Sequence, residues 1–302
     1  MAKTRFAPDR GLTSRMVLVM FLIGLLAVAF VGALIAFVPG NILPLVLILA
    51  GGVLFAQFFF SDKIAAFAMG AREVTPEQAP ELHAMIDRLC ALADMPKPRV
   101  AVSDTDMPNA FATGRSPKNA VICVTTGLMR RLDEPELEGV VAHELSHVAH
   151  GDAMVMTVAS FVGVLAGLTA QVGARLMLIA GRMRGLWQFL VIAIAVTLLA
   201  TATWIVSVLL IRALSRYREF AADQAAAQLT GNPAALSSAL AKVADRGSGL
   251  IPSQDLRRAT TLNAVAFCPV GNPKQAGSRM LSTHPSVEAR IERLERIARQ
   301  LG

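Results

Sequence analysis

The sequence predicts an integral membrane α-helical protein, with four transmembrane helices and an α+β part in the cytoplasm. Three observations carry this reading. Long uncharged apolar runs recur along the chain, each of a length that crosses a bilayer. Hydrophobic residues make up 54% of the 302 and charged residues 17%, with a mean hydropathy of +0.52. An average soluble domain is about a quarter charged. Lys and Arg gather on one side of the runs, as the positive-inside rule requires.

The elements follow in order. Met16 to Val38 is uncharged and too long for the apolar core of a cleaved signal peptide, so it reads as an anchor. Pro39-Gly40-Asn41 is a tight turn, and Ile42 to Phe60 is the second span. Lys3, Arg5, Arg10 and Arg15 precede the first span and the turn has no basic residue, which places the N-terminus in the cytoplasm. Met154 to Ala174 is the third span, interrupted at Arg175, and Leu186 to Ile211 is the fourth. An even number of spans returns the chain to the same side. Arg212, Arg216 and Arg218 agree with that; Arg182 and Arg184 in the third-to-fourth connection do not, which fits a short interfacial loop or incomplete crossing. Gly163 and Gly167 form a small-residue pair suited to close helix packing. The chain thus divides into a membrane hairpin (1–60), a cytoplasmic part (61–153), a second hairpin (154–211) and a second cytoplasmic part (212–302).

The cytoplasmic parts mix helix and strand. Pro80 to Ala93 has helical apolar spacing, and Arg99 to Val102 and Ala120 to Thr125 read as short strands. Pro108 to Gly114 reads as a loop or an irregular edge. Asp133 with Glu136 opens a helix by a capping box, and Gly151 ends it or hands it to the third span. Residues 212–230 form a further helix, stopped by Gly231-Asn232-Pro233. Residues 246–282 are rich in Gly, Ser and Pro and read as irregular. A last helix starts at Pro285 with the stripe Val287, Ile291, Leu294, Ile297 and Leu301.

Net charge is +7. The basic residues flank apolar spans and do not interleave with aromatics, so they fit anionic lipid headgroups and exclude nucleic acid as a partner. Cys90, Cys123 and Cys268 are odd in number and far apart, which argues against a disulfide framework.

The densest chemistry lies in His143-Glu144-Leu145-Ser146-His147. In a helix, positions i and i+4 share one face, so both imidazoles can grip one metal ion. Glu144 beside them can take a proton from the attacking water. Zn²⁺ hydrolases hold the metal with three protein groups, so a third ligand is required. Ala153 stands where the metzincin pattern needs its third His. His150 is a rival ligand, two turns from His143. The better candidate is a carboxylate on a later helix, as in gluzincins. Glu219 fits, with Asp223 four residues on to receive the free ring N–H of a ligand histidine. The plain alternative for both is an exposed acidic pair on an Ala-rich helix. Topology favours the first reading: His147 lies just before span three and Glu219 just after span four, and a transmembrane hairpin brings those ends together.

These motifs, with Asn109-Ala110-Phe111-Ala112-Thr113-Gly114 before them and Thr283-His284-Pro285 and Arg290 after, resemble the HtpX-like membrane zinc metalloproteases, relatives of the CAAX prenyl proteases. The resemblance runs over nearly the whole chain. It implies a gluzincin-type zinc endopeptidase of the bacterial inner membrane that cleaves damaged or misfolded membrane proteins. It implies one Zn²⁺ per chain, held by His143, His147 and Glu219, with Glu144 as general base and Asp223 behind the ligands. It further implies that Asn109 holds the substrate backbone, and that His284 and Arg290 steady the oxyanion or the framework. Two other readings stand beside this one. A processing protease of the CAAX prenyl type would carry seven spans. A catalytically silent zinc-binding protein would have no need of Glu144.

Overall fold

A computed structural model describes residues 10–37, 44–45, 47–49, 51–52, 55–56, 59, 70–114, 116–180, 187–247 and 284–301. The second predicted span, 42–60, falls largely outside the described residues, as does most of the predicted irregular stretch 246–282. The chain separates into two units. The first comprises Met1–Thr13, Phe60–Met154 and Ser215–Gly302; the second comprises Ser14–Phe59 and Val155–Leu214.

The first unit is built on a four-stranded sheet. Strands β1 (Ala71–Glu73), β2 (Arg99–Ser103), β3 (Ala110–Thr113) and β4 (Val121–Thr125) lie in the order β1-β2-β4-β3. β2 and β4 run parallel; both edge strands run antiparallel to their neighbours. Every residue of β4 is buried, as its unbroken apolar run requires of a strand covered on both faces. β3 falls where the sequence predicts a loop or irregular edge. It is four residues long and follows Pro108-Asn109, a turn signal, and its pairing with Val121–Val124 decides its conformation.

The first helix of the chain, α1, is Arg10–Phe37. Helix α2 (Pro80–Ala93) begins with Pro in its first turn and buries Leu82, Met85, Ile86 and Leu89. Helix α3 (Glu134–His150) opens with the predicted capping box: Asp133 receives the Glu136 N–H and Glu136 receives the Asp133 N–H, both at 3.0 Å. Gly151 ends α3 in the left-handed conformation, with φ 66°.

Helix α4 (Asp152–Ala180) follows at once and runs through Arg175. Helix α5 (Trp187–Thr230) is a single uninterrupted rod where the sequence predicts a span ending at Ile211 and then a separate helix. No Gly or Pro stands near residue 211, so nothing breaks the backbone ladder; only the polarity of the side chains changes.

Helix α6 (Pro233–Gly247) starts at the signal that stops α5. Asn232 Oδ1 accepts the Ala235 N–H at 3.1 Å, and Pro233 takes the first helical position. Its Ser238 and Lys242 reach Glu136 at 2.6 and 2.5 Å, tying α6 to the start of α3. A Cβ on Gly139 would meet Leu236 Cα at 3.3 Å, so the missing side chain sets that close approach.

The last helix, α7, spans Val287–Leu301, two residues later than predicted. Ser286, not Pro285, caps it, accepting the Ala289 N–H at 3.3 Å. Ile86, Leu89, Ile122, Val140, Leu145, Leu236, Leu240 and Leu294 form one core among these elements. Each such side chain contributes roughly 1.5–3 kcal/mol on burial.

The second unit is helical among its described residues. Phe30, Leu34, Leu165, Ala166 and Ala200 make its interior. A Cβ on Gly163 would lie 3.5 Å from Ser207 Cβ, and one on Gly167 would lie 3.4 Å from Trp204 Cδ1. Both glycines of the predicted pair therefore face α5. Among the described residues three helical stretches are long and apolar enough to cross a membrane: Arg10–Ala36, Asp152–Leu178 and Phe189–Thr230.

Candidate metal centre

The centre lies within the first unit. Helical spacing puts His143 and His147 on one face of α3, with their Nε2 atoms 3.2 Å apart. Helix α5 brings Glu219 to the same point. Its Oε2 is 3.7 Å from His143 Nε2 and its Oε1 is 3.6 Å from His147 Nε2. Ligand atoms bonded tetrahedrally at about 2.0–2.1 Å stand about 3.3 Å from one another. Each imidazole meets a different oxygen of Glu219, and with one ligand atom from each residue the three atoms all lie within 4.8 Å of one another, a spacing that a bound ion would draw in. Among the described residues, His143, His147 and Glu219 are the group able to hold a metal ion. Glu219 Oε2 is buried and receives no hydrogen bond of acceptable angle, although three nitrogens of His143, His284 and Arg290 surround it within 3.7 Å. A buried, charged, incompletely satisfied oxygen between two imidazoles is suited to a cation.

The backs of both rings are anchored. His143 Nδ1 stands 3.0 Å from Asp223 Oδ1. Arg290 grips the same carboxylate with two hydrogen bonds, Nε to Oδ2 at 2.9 Å and Nη2 to Oδ1 at 2.6 Å. Arg290 is 1% exposed and Asp223 is fully buried, so the pair forms a closed floor beneath His143. His147 donates Nδ1–H to Asp152 Oδ2 at 2.6 Å, and Arg218 pairs with the other oxygen of Asp152. With both Nδ1 atoms so engaged, both Nε2 lone pairs point at the shared centre.

Burial, followed by the Arg290 charge, pushes the His143 pKa down to about 4, so the imidazole is neutral at pH 7, the form that ligates metal. Burial raises Glu144 to about 7, the range suited to a general base. Its Oε2 accepts the backbone N–H of Ala112 on β3 at 3.0 Å. Burial also pushes the thiols of Cys90 and Cys123 up, to about 11 and about 12, which makes them inert.

His284 Nδ1 lies 3.2 Å from Glu219 Oε2. His150, the rival ligand, turns its Nδ1 to the Ser146 carbonyl at 2.7 Å and does not join the cluster. Asn109 is buried at the head of β3, its main chain joined to Thr125 by three hydrogen bonds of 2.9–3.0 Å. The sequence marks Arg218 only as a basic flank of the fourth span and gives no sign that Asp152 or the Ala112 backbone serves the site. An acidic residue opening a helix is the ordinary expectation, and a backbone donor leaves no trace in residue type.

Two imidazoles and a carboxylate converging beside a buried, raised glutamate suit a metallopeptidase centre, and the apolar helices make the protein membrane-associated. Residues 76–298 match the family model of peptidase family M48, and the chain belongs to that family. The chain is 53% identical over 300 residues to "Protease HtpX homolog 1" of Streptomyces coelicolor, covering 99% of this chain and 97% of that protein. It is 44% identical over 304 residues to "Protease HtpX homolog" of Moorella thermoacetica, covering 99% and 98%. Among solved structures it is similar to S. mikatae Ste24p, with a TM-score of 0.56 at 16% identity. That match covers 90% of this chain and 62% of the Ste24p chain, and it shows the fold alone. The protein is a metalloprotease that acts on polypeptides and carries a metal cofactor.

Proposed function

We propose that the protein is a zinc-dependent endopeptidase that cleaves damaged or misfolded membrane proteins at the bacterial inner membrane. Its catalytic part and both termini face the cytoplasm. Residues 1–60 and 154–211 act as membrane hairpins, and 61–153 with 212–302 act as the catalytic part. The observation that carries the reading is the convergence of His143 Nε2, His147 Nε2 and the Glu219 carboxylate beside Glu144. A His₂Glu donor set with one open position is the pattern of catalytic zinc. Lys3, Arg5, Arg10 and Arg15 before the first span support the orientation.

The chemistry that zinc supplies when bound is polarisation of a carbonyl and acidification of water. His143, His147 and Glu219 hold it. Glu144 removes the proton from the attacking water and returns it to the leaving amine. The substrate lies extended along β3, the edge strand nearest α3, by strand addition. Asn109, Phe111 and Thr113 face β4, so the backbone groups of Ala110 and Ala112 face away from it. Asn109 fixes the head of that strand and the substrate backbone beside it. His284 steadies the oxyanion next to Glu219. Arg290 acts on the framework, through Asp223, and not on the substrate.

Metal analysis of the detergent-purified full chain tests this, paired with cleavage of an unfolded membrane protein. Wild type carries one zinc per chain; Glu219→Ala loses it. Glu144→Gln keeps the metal and loses about 10²–10⁴-fold in cleavage rate. Full zinc in the Glu219 variant, or undiminished cleavage by the Glu144 variant, overturns the assignment.

A further inference from the structure

Each ligand histidine is backed by a carboxylate, and each carboxylate by an arginine. The first relay, His143–Asp223–Arg290, lies within the expected spacing of Glu219 and Asp223. The second, His147–Asp152–Arg218, has no counterpart in that pattern. We propose that Asp152 and Arg218 are positioning residues that fix the ring of His147 for metal binding. This proposal rests on the zinc reading above.

The backbone shows why the second relay needs the tertiary fold. In an unbroken α-helix, residue i+5 lies about 140° round the axis from residue i. Asp152 could not then reach His147. The left-handed turn at Gly151, φ 66°, breaks the rod and starts α4 at Asp152. Asp152 Oδ2 thereby comes to 2.6 Å from His147 Nδ1. Arg218 comes from α5, one residue before the ligand Glu219, and closes on the other oxygen of Asp152. The Asp152 and Arg218 side chains are 16% and 9% exposed, and His147 is 20% exposed.

The consequence is chemical as well as geometric. A charged acceptor on Nδ1–H fixes the tautomer, aims Nε2 at the centre and raises its basicity. Arg218 holds that carboxylate on the side away from the ring. It also ties the start of α4 to the turn of α5 that carries Glu219, so the second and third ligands are set by one linkage. Among the described residues, Asp152 is the carboxylate that meets His147 Nδ1, so its loss has no near substitute.

The test is the zinc dissociation constant of the full chain in detergent, measured by competition with a chelating dye. The series is wild type, Asp152→Ala, Asp152→Asn, Asp152→Glu and Arg218→Met, each with its metal-free thermal midpoint. Asp152→Ala weakens zinc binding about 10- to 100-fold, the range typical of lost outer partners. Asp152→Asn keeps the volume but loses the charge and the Arg218 pair, and binds several-fold more weakly than wild type. Arg218→Met follows it, and Asp152→Glu recovers part of the loss. Cobalt-loaded Asp152→Ala shows an altered visible absorption band, because the ring of His147 is no longer fixed. A merely structural role would lower the metal-free midpoint and leave the dissociation constant in place; that result overturns the proposal. If Asp152→Ala fails to accumulate, Asp152→Asn decides, and wild-type affinity in it is equally fatal. A wild type that takes up no zinc sinks the metal reading and this proposal with it.

Discussion

The two units obey opposite rules of burial. In the first, large apolar side chains turn inward, and among its described residues Leu92, Met154 and Leu301 are the large hydrophobics that stay exposed. In the second, Val17, Phe21, Val28, Leu178, Phe189 and Leu198 are all more than 50% exposed, while a small interior of Phe30, Leu34 and Leu165 is shared with Ala166 and Ala200. The reversal reports the solvent. Against lipid there is nothing to gain by hiding a leucine, so close backbone approach at Gly163 and Gly167 does the packing. Against water the apolar core is compulsory, and apart from Glu136 at the start of α3 the buried carboxylates and arginines among the described residues gather at the site. Glu144, Glu219, Asp223 and Arg290 all lie below 9% exposure. The first unit thus spends core volume on chemistry, and the second spends none.

The contrast can be broken at its most exposed point, the buried charges. Arg290→Ala leaves Asp223 unpaired beneath His143. Removing one partner of a buried ion pair costs about 3–5 kcal/mol. The expected outcome is a large fall in the thermal midpoint of detergent-purified protein, together with weakened zinc retention. A variant that melts with wild type would show that the first unit tolerates naked charge.

A matched pair of surface changes sharpens the comparison next. Leu198 and Leu92 are 66% and 45% exposed. Leu198→Asp puts a charge where lipid lies, at a cost of about 2.5–3.5 kcal/mol, and lowers the yield of membrane-inserted protein. Leu92→Asp faces water and stays within about 0.5 kcal/mol of wild type. Equal yields from the two would erase the distinction between the units.

The smallest effect concerns Glu144 in metal-free protein. Its pKa is raised from 4.5 to about 7, chiefly by burial, so the fold disfavours the ionised form. A raised carboxyl leaves the fold most stable at low pH. Stability is lost as pH climbs from 4.5 through 7. Metal-free Glu144→Gln should therefore melt a few degrees above metal-free wild type at pH 8, with the gap closing as pH falls toward 4.5. A gap that widens on acidification would reverse the sign.

Much of this was legible in residue order. The apolar runs, the capping box at Asp133, the i, i+4 histidines and the Glu219–Asp223 spacing are local patterns, and local patterns survive in a one-dimensional string. The strand at 110–113 and the helix at 233–247 were not legible. The first is made by its pairing with β4. The second begins at residues that also read as a stop.

What the sequence by itself determined is the class: apolar lengths set by bilayer thickness, and a candidate ligand pair set by the pitch of a helix. What only the tertiary structure decided is the company each candidate ligand keeps. Arg290 meets Asp223 across 67 positions, Ala112 meets Glu144 across 32, and Asp152 reaches His147 only because the helix breaks at Gly151. Such contacts follow from how elements pack and where a backbone turns, and no periodicity along the chain encodes them.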